Sequence, residues 1–277
     1  MMAQDDTDIA TSNARRLARR FSMEGRRALV TGGSVSIGRD IVLAFAEAGA
    51  DIAVHYSAAA DAAFGLPDAA ATVVGEIEAR GHRGVAVEAD FSVTGEARRC
   101  VETARAALSG IDVVVVCASV QKRIPFDDYP MEEMERQVRI NFLATLELLQ
   151  AALPGMREQG WGRILTIGSI NEMKPDADQP VYAALKSAQT NLAMNLARDN
   201  ARYGVTVNNL APGLIATERN RWRRQDAKVW HDIQERFSPL GRAGRPEEMA
   251  AAALLLCSDA GSYITGANLE ATGGAHL

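Results

Sequence analysis

Tyr182 and Lys186 carry the clearest chemical signal in this 277-residue chain. They lie four apart in a helix-forming stretch, so a phenol and an ammonium would share one helix face. With five tyrosines and four lysines in the chain, chance supplies only about 0.07 such spacings. The chemistry they suggest is proton exchange with a carbonyl or alcohol oxygen. A free phenol has a pKa of about 10, and stabilising its anion enough for exchange near neutrality takes roughly 4 kcal/mol. A neighbouring cation has the right sign to contribute. Tyr182 is therefore read as a general acid/base. Ser169 stands 13 residues before it, at the end of an apolar run, and Asn141 sits inside the preceding helical stretch. A second signal is the small-residue turn Thr31-Gly32-Gly33-Ser34-Val35-Ser36-Ile37-Gly38. Such a turn, opening into a helix, brings backbone amides and the positive helix end up to a pyrophosphate. Gly32, Ser34, Ser36 and Ile37 are its candidate coenzyme contacts.

The elements that must position these groups follow from apolar periodicity. Strands are predicted over 27–31, 51–56, 84–89, 112–118, 162–168, 205–211 and 267–272. Between them, helices are predicted over 39–48, 69–80, 96–108, 131–153, 181–203 and 246–258. The valine run within 112–118 suits a parallel strand buried on both faces. Strand–helix alternation of this kind implies right-handed crossovers and a doubly wound parallel sheet of about seven strands with helices on both faces. Ligands in such sheets bind beyond the carboxyl ends of the strands. Chemistry is thus expected in the loops after the first, fourth, fifth and sixth strands.

With those residues in place, the chain resembles the short-chain dehydrogenase/reductase family over about residues 21–277. The glycine turn matches the family's TGxxxGxG at Gly32 and Gly38, with Ser36 in the middle glycine's slot. Asn141, Ser169, Tyr182 and Lys186 match its catalytic tetrad residue by residue. The resemblance implies a single-domain, Rossmann-like α/β fold and an NAD(P)-dependent oxidoreductase acting on a carbonyl or alcohol. It implies that Lys186 holds the nicotinamide ribose, that Ser169 hydrogen-bonds the substrate oxygen, and that Asn141 helps hold a relay water. Asp90-Phe91 match an Asp-Val pair near the adenine. Pro212-Gly213-Leu214-Ile215-Ala216-Thr217 match the family's PG motif, which assigns the Ile215 backbone to the carboxamide and Thr217 to the pyrophosphate. Where the family has Asn-Asn-Ala-Gly, this chain has Val116-Cys117-Ala118-Ser119. Only Ala118 matches, so that loop is expected to lose bracing hydrogen bonds. Tetrameric assembly and a substrate lid near 214–240 are inherited from the same resemblance.

At the predicted end of the second strand an acid would favour NAD by binding the ribose hydroxyls. Tyr56 and Ser57 stand there instead, and the reading leans to NADP. Residues 58–68 look like a long loop that reshapes this adenosine corner. The substrate is indicated only by charge: Arg219, Arg221, Arg223 and Arg224 follow Thr217, and Lys122-Arg123 follow the fourth strand. One or more of these cations is expected to meet an anionic substrate, such as a sugar acid or an acyl-carrier thioester; a solvated basic surface is the plainer reading. A catalytically silent coenzyme sensor of the same fold is the competing function. Epimerase or dehydratase relatives usually carry a larger substrate domain, and enoyl reductases space Tyr and Lys further apart. The formal net charge of −5 offers no basic field for nucleic acid or anionic membrane. The apolar runs fall short of the roughly 20 residues of a membrane span. Three cysteines without paired spacing and four scattered histidines suggest neither a disulfide scaffold nor a metal site, and fit the cytoplasm. Residues 1–20, polar with acidic then basic clusters, read as a flexible extension.

Overall fold

The computed structural model describes residue 13 and residues 15–277. The extension expected over 1–20 therefore lies largely outside the described residues, although 15–21 are helical. Seven parallel strands form one sheet in the order β3-β2-β1-β4-β5-β6-β7. They are β1 (Arg27–Thr31), β2 (Asp51–Tyr56), β3 (Gly84–Glu88), β4 (Val113–Val116), β5 (Gly162–Ile167), β6 (Val205–Pro212) and β7 (Asn268–Ala271). The order reverses direction between β1 and β4, which opens the crevice where dinucleotides bind in this architecture.

The valines of β4 show how side-chain alternation builds both cores. Val114 and Val116 face one layer with α4 (Glu96–Leu108), α6 (Ala144–Glu158) and α7 (Pro180–Asn200). Val113 and Val115 face the other, with α1 (Ser36–Glu47), α3 (Ala69–Glu78) and α9 (Pro246–Cys257). A strand covered on both sides needs apolar residues at successive positions, which is why the run is unbroken. The register aligns Thr31 with Val116, Val116 with Thr166, Thr166 with Asn209 and Asn209 with Asn268. The chain segments after β1, β4, β5 and β6 therefore emerge level with one another.

Three predictions about elements need correction. Residues 58–68 are not a plain loop, because Ala58–Ala63 form a short helix, α2. The helix expected over 131–153 is divided into α5 (Met131–Val138), a widened π-helical turn at Arg139–Leu143, and α6, which continues through Pro154 to Glu158. Such turns are rare and often mark functional positions, and this one carries Asn141. Finally, the 214–240 segment, expected to be a lid, contains an unpredicted helix, α8 (Ala227–Phe237), whose start is capped by the Asp226 carboxylate accepting from Lys228 N and Val229 N.

Candidate active site

Lys186 is almost fully buried, 2 % exposed, and a buried ammonium needs acceptors. Its Nζ donates to the Ile167 carbonyl at 2.5 Å and to Gln189 Oε1 at 3.0 Å. From there it lies 5.7 Å from the centre of the Tyr182 ring, so α7 places cation and phenol together as their spacing predicted. Gln189 Nε2 donates to Thr145 Oγ1, and Thr145 donates to the Asn141 carbonyl. A continuous polar chain thus joins Lys186 to the widened turn. Gln189 and Thr145 were missed in the sequence; their only signals are the three- and four-residue offsets from Lys186 and Asn141.

The Asn141 side chain serves a different element. Its Oδ1 accepts from Val120 N and its Nδ2 donates to Val120 O, both at 2.8 Å. Asn141 therefore clamps the segment after β4. The bracing expected to be lost there is supplied by other groups. Thr31 Oγ1 accepts from Cys117 N and Ala118 N at 3.0 and 3.2 Å, and Arg219 Nη2 donates to the Ser119 carbonyl at 2.8 Å.

Ser169 caps a single helical turn after β5, its Oγ accepting from Asn171 N. That turn is tied down by Glu172, whose carboxylate accepts from Thr190, Asn209 and Asn268. Burial pushes the Glu172 carboxyl above its usual range. Glu172 gave no sequence signal, because its partners come from three different elements.

The glycine turn fits a pyrophosphate. Gly38 has no room for a side chain, since a Cβ there would sit 1.9 Å from the Gly32 carbonyl. The start of α1 has no side-chain cap and no acid in its first turn, which leaves its positive end to an incoming anion. Ser36 adopts φ +53°, the left-handed conformation that favours glycine. Its hydroxyl accepts from Glu218 N at 3.0 Å, so the residue that departs from the family pattern fastens the 214–240 segment, the expected lid, to the turn. Ser36→Gly should be more stable than Ser36→Ala by about 1 kcal/mol, because both lose the lid bond and only glycine relieves the strain. Urea unfolding of the two variants checks this; equal stabilities would contradict it.

At the adenosine corner, Ser34 Oγ donates to the buried Asp61 carboxylate of α2 at 2.9 Å, and burial raises the Asp61 pKa. The Tyr56 hydroxyl reaches Glu88 at 3.5 Å. Ser57 stands at the start of α2 without a side-chain cap bond. Asp90 accepts from Ser92 N and Oγ. Phe91 is buried and stacks on His55 at 4.1 Å. His55, also missed in the sequence, accepts from Gly32 N through Nδ1 at 3.0 Å. That contact requires a neutral ring with its proton on Nε2, 3.1 Å from the Ala89 carbonyl. Beyond β6, Gly213 N donates to the Ala271 carbonyl, and Pro212 ends the strand. Ile215 is buried with its carbonyl accepting from Asn220, and Thr217 caps the 3₁₀ stretch Glu218–Gln225 that precedes α8.

Burial lowers the His55 pKa from 6.5 to about 4. A group that stays neutral in the fold but protonates when unfolded stabilises the fold fully above its unfolded pKa. That contribution is lost as pH falls toward the folded value. Acidification from pH 6.5 to about 4 should thus remove up to about 3 kcal/mol through His55. Denaturant titrations across this window should show a shallower pH slope for His55→Gln than for the parent; identical slopes would refute the assignment.

Comparison with known proteins identifies the family. A family model described as enoyl-(acyl carrier protein) reductase matches residues 32–276. The chain is 33 % identical over 256 residues to L-rhamnose 1-dehydrogenase (NAD(P)(+)) of Sphingomonas sp. (strain SKA58), covering 92 % of this chain and 98 % of that protein. A solved 3-oxoacyl (acyl-carrier-protein) reductase from Agrobacterium tumefaciens C58 with NADP bound is 38 % identical, with a TM-score of 0.88 over 94 % of this chain and 98 % of that one. A gluconate 5-dehydrogenase from Burkholderia cenocepacia J2315, in complex with NADP and tartrate, is 30 % identical with a TM-score of 0.84, over 94 % and 98 %. The sheet order agrees with these matches, and the chain belongs to the short-chain dehydrogenase/reductase family of oxidoreductases.

Proposed function

We propose that this protein is an NAD(P)-dependent oxidoreductase that interconverts a carbonyl and a secondary alcohol on a small molecule, with Tyr182 as the general acid/base. The observation that carries this reading is the buried Lys186 ammonium, anchored on Ile167 and Gln189 and held 5.7 Å from the Tyr182 ring. The nicotinamide coenzyme, when bound, supplies or accepts the hydride. Gly32, Ser34, Ser36, Ile37 and the uncapped start of α1 would hold its pyrophosphate, with Thr217 closing from the lid. Tyr56, Ser57, Asp90 and Phe91 would frame the adenosine, and Ala118, Pro212, Gly213 and Ile215 the nicotinamide half. In reduction, Tyr182 gives its proton to the carbonyl oxygen as negative charge develops there, and Ser169 hydrogen-bonds the same oxygen. Lys186 stabilises the phenolate left behind and binds the nicotinamide ribose. The hydrogen bonds through Gln189 and Thr145 tie the position of Lys186 to the wide turn at Asn141.

NADP is the favoured coenzyme. Four solved relatives with gluconate- or oxoacyl-type names contain NADP, and the end of β2 presents Tyr56 rather than an acid. The substrate class proposed is a sugar, sugar acid or 3-oxoacyl thioester, in line with the relatives' names. A homotetramer is supported by exposed apolar side chains on the long helices and at the chain's end, including Leu143, Met194, Tyr263 and Leu277. Three free thiols suit the reducing cytoplasm. Among the described residues, no helix is long and apolar enough to cross a membrane. Fluorescence titration with all four nicotinamide forms, followed by a carbonyl and alcohol screen, tests the reading. Tight coenzyme binding without turnover of any compound would favour the sensor function.

A further inference from the structure

The cations gathered at the mouth of the site are not equivalent. In the lid, Glu218 lies 3.4 Å from Arg221 and 3.9 Å from Arg224. Both arginines line, with Leu66, an open hollow of about 400 Å³ between the lid and the segment after α2. They face the adenosine side and already share an acid. Outside the lid, Lys122 pairs with Glu133, and Arg123 pairs with Asp176 at 2.8 Å.

Arg219 and Arg223 have no acid within ion-pair distance among the described residues. Arg219 donates only to Ser119, at the carbonyl and at Oγ, so its charge rests on the β4 side of the mouth. Arg223 is half-buried and donates no hydrogen bond to any described residue. Its one aromatic neighbour is the adjacent, exposed Trp222, 5.0 Å away. The charges acting on it are Arg123, on the same segment after β4 as Ser119, and the Asp176 that Arg123 pairs with. Burial, and then the like charge of Arg123, oppose its ionisation. A partly desolvated guanidinium with five unused donors beside another cation is an unfavourable arrangement unless an anion joins it.

We propose that Arg219 and Arg223 together receive an anionic group of the substrate, and that the compound reduced or oxidised is a small oxo or hydroxy acid held by its carboxylate. This rests on the hydride-transfer reading above and narrows it. Planar guanidinium forks bind carboxylates in paired hydrogen bonds, and two forks from the stretch after Thr217, beside the segment after β4, would hold the acid at a fixed orientation. A neutral sugar has nothing to satisfy either cation. A phosphate-bearing thioester carrier would present the same charge from a different source.

The test uses the full-length enzyme with saturating coenzyme. Oxo acids are compared with their neutral methyl esters, and with oxoacyl thioesters, in the parent, Arg219→Ala, Arg223→Ala, Arg223→Lys and the double alanine variant. Loss of charge-assisted contacts should raise KM for the acid about 10- to 100-fold. The change in kcat should be small, KM for the ester should be unmoved, and Arg223→Lys should recover part of the loss. Malonate should compete with the oxo acid in the parent and not in the double variant. Coenzyme affinity should be the same in all five proteins. The proposal is overturned if the double variant leaves KM for the acid unchanged, if acid and ester shift together, if thioesters alone respond, or if coenzyme affinity falls instead. Any of these results leaves Tyr182-dependent turnover intact. Failure of the hydride-transfer reading shows separately, as a parent enzyme that turns over no carbonyl or alcohol whatever its charge.

Discussion

Tyr182→Phe should fold, bind coenzyme like the parent and lose about 10²- to 10⁴-fold in kcat/KM, the range that positioned proton transfer contributes. The structure explains why the loss should be confined to chemistry. Lys186 is anchored by the Ile167 carbonyl and Gln189, and neither bond involves the phenol. Removing one oxygen therefore leaves the ammonium where it was, and the phenylalanine ring fills the same buried site. Ser169 also keeps its place, because its turn is fastened through Glu172 to β6, β7 and α7. Steady-state kinetics with NAD(P)H and an active carbonyl, beside coenzyme titration of the same preparation, separates proton transfer from binding. A variant retaining more than about a tenth of the parent's kcat/KM would assign the proton to another group and sink the mechanism.

Gly38→Ala is expected to abolish coenzyme binding and to destabilise the fold by more than about 3 kcal/mol, above the usual cost of one extra core methyl. The added carbon would lie 1.9 Å from the Gly32 carbonyl oxygen and 2.8 Å from its carbon. Both obstacles are backbone, so no rotamer change relieves them. Either α1 moves away from the turn or the turn opens, and in both cases the amides that would meet a pyrophosphate lose their alignment. Gly75→Ala is the matched control. Gly75 lies in the exposed face of α3 with nothing within 4 Å of an added Cβ. That substitution should be neutral or stabilising by about 0.5–1 kcal/mol, because alanine restricts the unfolded chain and favours helix. Thermal unfolding and coenzyme fluorescence on both variants check the contrast. Normal coenzyme affinity in Gly38→Ala would contradict the close-approach argument.

Much of the fold was legible because its determinants are local. The strand over 27–31 and the helix over 96–108 have the predicted bounds, since alternation and helical period can be read from adjacent residues. Boundaries failed where the deciding contact was distant. The prediction over 131–153 missed the wide turn at Asn141, whose purpose is visible only once Val120 lies against it. Helix α2 was hidden in an alanine-rich stretch without a periodic apolar face, and Asp61 on it acquires a role only through Ser34. The stretch from Val116 to Ser119, at the end of β4, looked poorly braced because the family's asparagines are absent. The replacement, Thr31, was in the sequence all along but lies on another strand.

The order of elements, the pairing of phenol with ammonium on one helix face and the glycine turn were set by the sequence alone, because each depends on spacings of a few residues along one backbone. Tertiary structure decided which groups support them: His55 behind the turn, Gln189 and Thr145 behind Lys186, Glu172 behind Ser169, and Ser36 as a lid contact in place of a glycine. It also decided which arginines are neutralised and which are not. Those outcomes depend on burial and on charges brought together from elements far apart in the chain, and neither quantity exists until the sheet has formed.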